Sequence, residues 1–325
     1  MTIRKSAQLF AATALGTALI AGGAAAQDIP SEFSVGTASQ GGTYFVYGAG
    51  WANLVAEELG ISASSEVTGG PVQNATLVQT GDLDMSMVTM GPAWEALQGE
   101  SELAPGLEHT EMRAIFPMYQ TPFHTITLEG SGIESLSDLD GLTVGVGPAG
   151  GTPGTYFPRF FDILGIDVEV RYGGASDLAG QLQDGLIDAF AFAAGVPIAA
   201  FSQVEAQTNA NIFGLTEEEV ETLLAEYPYV ERMTIPAGTY VGQEADFETV
   251  AMWNFAIAHA DVSEDLVYEA TRIVMENHDR MMEIHSASEE TLPENFDKNG
   301  FLPWHPGAVR WFEENGYEIS DDLKG

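Results

Sequence analysis

The sequence predicts an α/β fold arranged as two lobes, and three observations carry the prediction. The chain has 325 residues, more than one hydrophobic core readily holds, so two compact units are expected. Strand-like apolar runs alternate with amphipathic helical stretches, the pattern of a largely parallel sheet covered by helices. A segment also repeats: "VTGGPVQNATLVQTGDLDMSMVTMG" from Val67 aligns without a gap on "RYGGASDLAGQLQDGLIDAFAFAAG" from Arg171. Gly69/Gly173, Gly70/Gly174, Gln79/Gln183, Gly81/Gly185, Asp84/Asp188 and Gly91/Gly195 coincide. Each copy reads as a strand end, a Gly-Gly loop, an amphipathic helix, a G-x-x-D turn and an apolar strand that stops at glycine.

In chain order, "MTIRKSAQLFAATALGTALIAGGAAAQ" opens with Arg4 and Lys5, continues with an apolar run too short to anchor in a bilayer, and ends in small residues. It reads as a secretory leader over residues 1–26, cleaved after Ala26, and predicts export. The first lobe then starts with a strand near Val35, a loop through Gly41-Gly42, and a helix opened by Gly-Thr-Tyr-Phe at 42–45. A second strand meets Gly69-Gly70, and a third ends at Gly91-Pro92. Phe123 to Gly141 leads into the second lobe, where "VGPAGGTPGTYF" (Val146 to Phe157) matches "VGTASQGGTYF" (Val35 to Phe45) with one inserted residue. The later strands of that lobe meet Gly173-Gly174 and end at Gly195-Val196-Pro197. A strand near Val250 to Ala258 and a long helix from about Ser263 return the chain to the first lobe. The expected boundaries are residues 27–120 and 246–325 for lobe one and 121–245 for lobe two.

Composition narrows the function. The chain carries 48 acidic and 11 basic side chains, a formal net charge of −37, so it repels nucleic acid and anionic surfaces. Cysteine is absent, which excludes disulfides and thiolate metal sites. The histidines (His109, His124, His259, His278, His285, His305) form no H-E-x-x-H or similar pair. Met85, Met87 and Met90 suggest a soft-metal site but fit core packing of a strand better. No metal and no cofactor is expected. There is no G-x-S-x-G elbow, and no carboxylate pair stands out among the acids, so no catalytic residue is assigned.

The glycine-rich loops hold the chemistry. A helix start offers unpaired N–H groups and a partial positive charge, and small residues let an anion approach them. Gly41, Gly42 and Thr43 in one lobe, with Gly150, Gly151, Thr152, Gly154 and Thr155 in the other, provide this cradle twice, and Ser39, Thr43, Thr152 and Thr155 add hydroxyls. Ordinary tight turns and caps are the alternative for any one hydroxyl. Gly145, Gly147 and Gly150 also spell a formal G-x-G-x-x-G, with Asp167 and Glu169 downstream as in a dinucleotide site. Pro148 inside the motif, Pro153 in the loop and the lack of the motif in the first copy weigh against NAD. Tyr44, Tyr47, Trp94 and Tyr156 are pocket walls or core.

These pieces together resemble the TAXI group of solute-binding proteins that serve TRAP (tripartite, ATP-independent periplasmic) transporters. The resemblance rests on "VGTASQGGTYFVYGAGWANLVAEE" at Val35, "VTGGPVQNATLVQTGDLDMSMV" at Val67, "GSGIESLSDLDGLTVGVGP" at Gly130, "DGLIDAFAFAAGVP" at Asp184, "TIPAGTYVGQEADFETVAMW" at Thr234 and "HPGAVRWFEENG" at His305. It implies a type II periplasmic-binding-protein fold, two Rossmann-like lobes with a ligand cleft between them, closing about a hinge. It also implies a periplasmic location, TRAP membrane subunits as partners and a carboxylate-bearing small ligand, glutamate-like or 2-oxoglutarate-like. Its binding loops fall on Thr37, Ser39, Gly42, Thr43 and Tyr44 and on the loop from Gly150 to Thr155. Val46 stands where many relatives have proline, and Gly147 to Thr155 departs from their usual G-P-P-G-S-G-T.

The repeated plan adds Thr68, Gly69, Asn74 and Met90 on one wall and Tyr172, Gly173, Gly195 and Val196 on the other. Arg171, before the second Gly-Gly loop, is the candidate partner for a ligand carboxylate; a surface ion pair with Asp167 or Glu169 is the alternative. The expected function is a receptor that captures a small organic acid or amino acid without chemistry. A sensing protein for a signalling partner and an exported α/β enzyme are the rivals.

Overall fold

The computed structural model describes residues 28–325; the expected leader lies outside the described residues. The first part of the chain runs β1 (Glu32–Gly36), α1 (Thr43–Leu59), β2 (Ser62–Glu66), α2 (Pro71–Gln79), β3 (Met85–Thr89), α3 (Met90–Leu97) and β4 (Met112–Leu128). The middle contains β5 (Thr143–Gly145), α4 (Thr152–Leu164), β6 (Glu169–Arg171), α5 (Ala175–Gln183), β7 (Ala189–Ala193), α6 (Ala199–Glu205), β8 (Ala210–Phe213), α7 (Glu217–Glu226) and β9 (Glu231–Ile235). The return comprises β10 (Phe247–His259), α8 (Glu264–Glu276), α9 (His278–Ile284) and α10 (Pro306–Glu314). The repeat read from the sequence is a repeat of structure: α2 and β3 correspond in register to α5 and β7.

The strands form one continuous path, β2-β1-β3-β10-β4-β7-β5-β6, with β8 added on β4 and β9 on β10. Pairing is parallel within β1/β2/β3 and within β5/β6/β7, and antiparallel wherever β4 or β10 takes part. β4 is the shared strand: it pairs with β10 from Met112 to Pro122 and with β7 from Phe123 to Thr127. Pro117 and Pro122 on β4 have no N–H to donate, and the ladder with β10 slips between Trp253 and Phe255. Such a break bends the shared strand where one sheet hands over to the next.

Two regions of core flank this handover. Around the first sheet, Trp51, Tyr47, Phe116 and Trp304 are buried. Around the second, Phe123, Phe157, Phe160 and Phe161 fill one face and Phe190, Phe192 and Phe201 the other. Each such ring contributes about 1.5–3 kcal/mol of burial. β3 (MSMVT) and β7 (AFAFA) are buried along their whole length, as central parallel strands are. Met85 and Met87 accordingly sit in the core.

Local signals account for the helix ends. α1 and α4 stop at left-handed Gly60 and Gly165, and Ser263 caps α8. Two expectations need correction. The long helix from Ser263 is broken at Asn277, which leaves helical geometry and turns its amide onto the Ile273 carbonyl at 2.8 Å. Gly-Thr-Tyr-Phe opens a helix in the first lobe only; in the second the helix starts earlier, at Thr152, because Pro153 is suited to the first turn and so lies inside the helix.

Buried histidines make stability pH-dependent, and His124 is shifted further than His305. His124 is 1% exposed, with Nε2 2.7 Å from the Tyr240 hydroxyl and its ring edge-on to Phe201. Burial, opposed in part by a hydrogen bond with the Pro122 carbonyl, pushes its pKa down from 6.5 to about 3. The folded state therefore holds it neutral while the unfolded chain protonates it. Its stabilisation is complete above pH 6.5 and is lost as pH falls toward 3, at up to ~1.4 kcal/mol per pH unit. Denaturant unfolding between pH 7 and 5 should show this slope, reduced in His124→Gln; an equal slope in the variant would refute the assignment.

Candidate ligand site between the lobes

α1 and α4 begin on opposite sides of one partly open cavity, each after a glycine that supplies no side-chain cap, Gly42 and Gly151. The Thr43 and Tyr44 amides of α1 and the Thr152 amide of α4 have no intrahelical acceptor, whereas Phe45 N turns back on the Gly42 carbonyl at 3.3 Å and Pro153 has no N–H, so the two starts bring partial positive charge to one space. The cavity measures about 30 Å³, room for about two waters. Gly42, Thr43, Tyr44, Ser39 and Ala38 line it from one lobe with Gly69, Gly70 and Pro71. Pro148, Gly151, Thr152 and Pro153 line it from the other, with Phe192, Ala193 and Ala194 at the end of β7 and Thr121 on β4.

Most hydroxyls at this cavity are already engaged. Thr43 Oγ1 donates to the Gly195 carbonyl, and the Tyr44 hydroxyl donates to Asn254 Oδ1 at 2.7 Å. Asn254, fully buried on β10, also donates to Thr121 Oγ1 at 2.7 Å, so the two shared strands brace the floor. Thr152 pairs with Thr89 across the cleft, and Ser39 Oγ accepts the Ala175 amide at 3.3 Å, leaving its own proton to donate.

The starts of α2, α5 and α6 join one lobe to the other. The Gly150 carbonyl accepts the Val72 and Gln73 amides of α2 at 3.0 and 3.2 Å. In return the Gln40 carbonyl accepts Ser176 N of α5 at 3.1 Å, and the Gly41 carbonyl accepts Ala200 N of α6 at 3.0 Å. This contact needs Gly70, at φ +115°: a β-carbon there would lie 3.0 Å from Gly151 Cα of the other lobe. A half-buried charge cluster adds to it. Glu95 of α3 accepts from Arg159 of α4 at 2.5 and 3.2 Å and from the Tyr156 hydroxyl at 2.7 Å, and Arg159 also reaches Glu102 at 2.7 Å. Burial, and then the Glu95 charge, hold the Tyr156 phenol well above its ordinary range, so it remains a donor.

Of the residues singled out in the sequence, Ser39, Gly42, Thr43, Tyr44, Gly69, Gly151 and Thr152 meet at the cavity. The others stand elsewhere. Thr37 bonds the Glu66 carbonyl, and Thr68 and Asn74 bond each other and the Thr37 carbonyl, fastening strand ends. Gly150 is a lobe contact. Gly154 and Thr155 lie within the first turns of α4 behind the lining, Thr155 Oγ1 buried and without a hydrogen-bond partner among the described residues. Gly173 donates to the Gly147 carbonyl, Gly195 accepts from Thr43, and Tyr172 is 53% exposed. Met90 and Val196 border two other grooves. Arg171 does not reach the cavity: its side chain is 54% exposed and pairs with Glu169 at 2.7 Å, the alternative left open by the sequence.

The aromatic candidates divide likewise. Tyr44 is a wall, Tyr47 and Tyr156 are core, and Trp94 packs edge-on against Phe301 in a separate groove. Sequence reasoning missed Phe192, Ala193, Ala194, Thr121 and the prolines Pro71, Pro148 and Pro153. The residues ending β7 were findable, since ligands meet the carboxyl ends of parallel strands. Thr121 carried no motif.

The family described as NMT1-like matches residues 35–316. Among solved structures, the chain is similar to a putative L-cystine ABC transporter from Listeria monocytogenes, at 15% identity and TM-score 0.51 over 81% of this chain and 96% of that one. It is also similar to a mutant ArgBP from T. maritima, at 13% identity and TM-score 0.51 over 80% and 95%. At these identities the likeness is one of fold, the mixed α/β architecture of type II solute-binding proteins.

Proposed function

The chain belongs to the NMT1-like family, and on that premise we propose that it is an exported solute-binding receptor that captures a small carboxylate-bearing solute between its lobes. The single observation that carries this reading is the cavity between the lobes to which α1 and α4 bring their uncapped starts from opposite sides. Anions bind at helix starts through backbone N–H groups. A ligand touching both lobes stabilises the closed form, because only the closed form offers both sets of contacts. Thr37 and Asn74 act behind the lining by fixing strand ends, and the strands β4 and β10 serve as the hinge between lobes near residues 27–120 with 246–325 and residues 121–245.

The quoted motifs support delivery to TRAP membrane subunits in the periplasm. The chain does no chemistry on its ligand in this reading. The test is small-angle scattering of protein stripped by unfolding and refolding, titrated with a mixture of organic acids and amino acids. A fall in radius of gyration, with a saturating heat of binding, is expected. An unchanged radius alongside no binding heat would overturn the receptor reading.

A further inference from the structure

We infer that a second groove, apart from the cavity at the helix starts, binds a small organic cation whose ammonium is methylated. This site is independent of the solute captured between α1 and α4. The groove has a volume of about 390 Å³, within the range of small-molecule sites. Four rings line it: Trp94 of α3, Tyr229 before β9, Trp253 of β10 and Phe301 in the segment before α10. Trp94 packs edge-on against Phe301 with ring centroids 5.1 Å apart and is 37% exposed, so part of a large aromatic face is open to solvent here.

The charges select the sign of the ligand. Glu231, Asp297 and Lys298 also line the groove, two carboxylates against one ammonium, in a chain whose formal net charge is −37. An anion is repelled on both scales. Lys298 shows what the rings accept: its Nζ lies 5.8 Å from the centroid of the Trp253 ring, and among the described residues it pairs with no carboxylate. The protein's own cation thus rests on an aromatic face. The Trp253 indole N–H donates to Glu231 Oε2 at 3.2 Å, which fixes the ring and sets a carboxylate at its edge.

Methylation follows from the wall. A primary ammonium brings N–H donors that need acceptors when they leave water, yet Lys298, a primary ammonium in this groove, reaches neither carboxylate. The Tyr229 hydroxyl is turned to Glu95 at 3.4 Å, and the other side chains of the lining are Met90 and Pro228. A methylated ammonium keeps its charge, presents methyl groups to the rings and needs no acceptor.

Titration of the stripped protein with choline, ethanolamine, 3,3-dimethylbutan-1-ol and benzoate, read by calorimetry and tryptophan fluorescence, tests the site. Choline should bind at least ~10-fold more tightly than its uncharged carbon counterpart 3,3-dimethylbutan-1-ol and than its unmethylated counterpart ethanolamine. Trp94→Ala should weaken choline about tenfold, and Lys298→Ala, at an exposed position, should tighten it about threefold by removing a competing cation. An anion held by Lys298 would respond to that second variant in the opposite direction. Absence of choline binding, equal binding of its carbon counterpart, tighter binding of ethanolamine or benzoate, or a choline affinity unchanged in both variants would each overturn the site. None of these outcomes touches the receptor reading, which scattering with organic acids and amino acids decides.

Discussion

Glu95→Ala should lower the free energy of unfolding by about 2–3 kcal/mol and loosen the closed state. Removing one partner of a buried ion pair costs ~3–5 kcal/mol because the other charge is left uncompensated. Here Arg159 keeps its bond to Glu102 and its side chain is 27% exposed, so the expected loss sits below that range. Glu95 is the group with no substitute: it is 7% exposed and accepts from Arg159 and Tyr156, both on α4 of the other lobe. Its loss should therefore raise the ligand-free radius of gyration and weaken ligand binding, since apparent affinity scales with the fraction of competent closed protein. Glu102→Ala, at an exposed site, should cost less than ~1 kcal/mol. Denaturant unfolding and scattering of both variants decide it; equal effects would mean that burial gives Glu95 no special weight.

Gly154→Ala should abolish measurable binding and destabilise the chain by about 2–3 kcal/mol, through packing alone. An added β-carbon would stand 2.1 Å from the Pro148 carbonyl oxygen and 2.8 Å from its carbon, both backbone atoms that yield only if the loop moves. That loop carries Pro148 and Gly151 in the cavity wall and the Gly150 carbonyl that caps α2 across the cleft. A displaced loop thus spoils the cavity and the lobe contact together. Gly180→Ala makes the control, because nothing lies within 4 Å of its β-carbon on α5 and replacing a helical glycine by alanine stabilises by up to ~1 kcal/mol. A Gly154→Ala protein that binds normally would show that the loop is free to shift without consequence.

The cavity was partly legible for a reason that these variants expose. Glycines at 41–42, 69–70, 150–151 and 173–174 mark close approaches of backbone, and the sequence displays them all. It does not say what approaches. Gly42 borders the cavity, Gly150 meets the opposite lobe, and Gly70 and Gly151 do both. A helix start accepts a ligand oxygen or a carbonyl oxygen with the same geometry, so the motif alone cannot separate the two. Arg171 illustrates the same limit: its charge suited a carboxylate, and a neighbour two residues away met that need first.

The sequence by itself determined the α/β alternation, the duplicated α2–β3 and α5–β7 units and the helix starts at α1, because periodicity, turn glycines and caps act over a few residues. Tertiary structure alone decided which helix starts remain free. That outcome depends on how β4 and β10 carry one sheet into the next, on the slip between Trp253 and Phe255, and on Asn254 joining Tyr44 to Thr121 beneath the cavity. Those contacts join residues more than a hundred positions apart, and no local pattern encodes them.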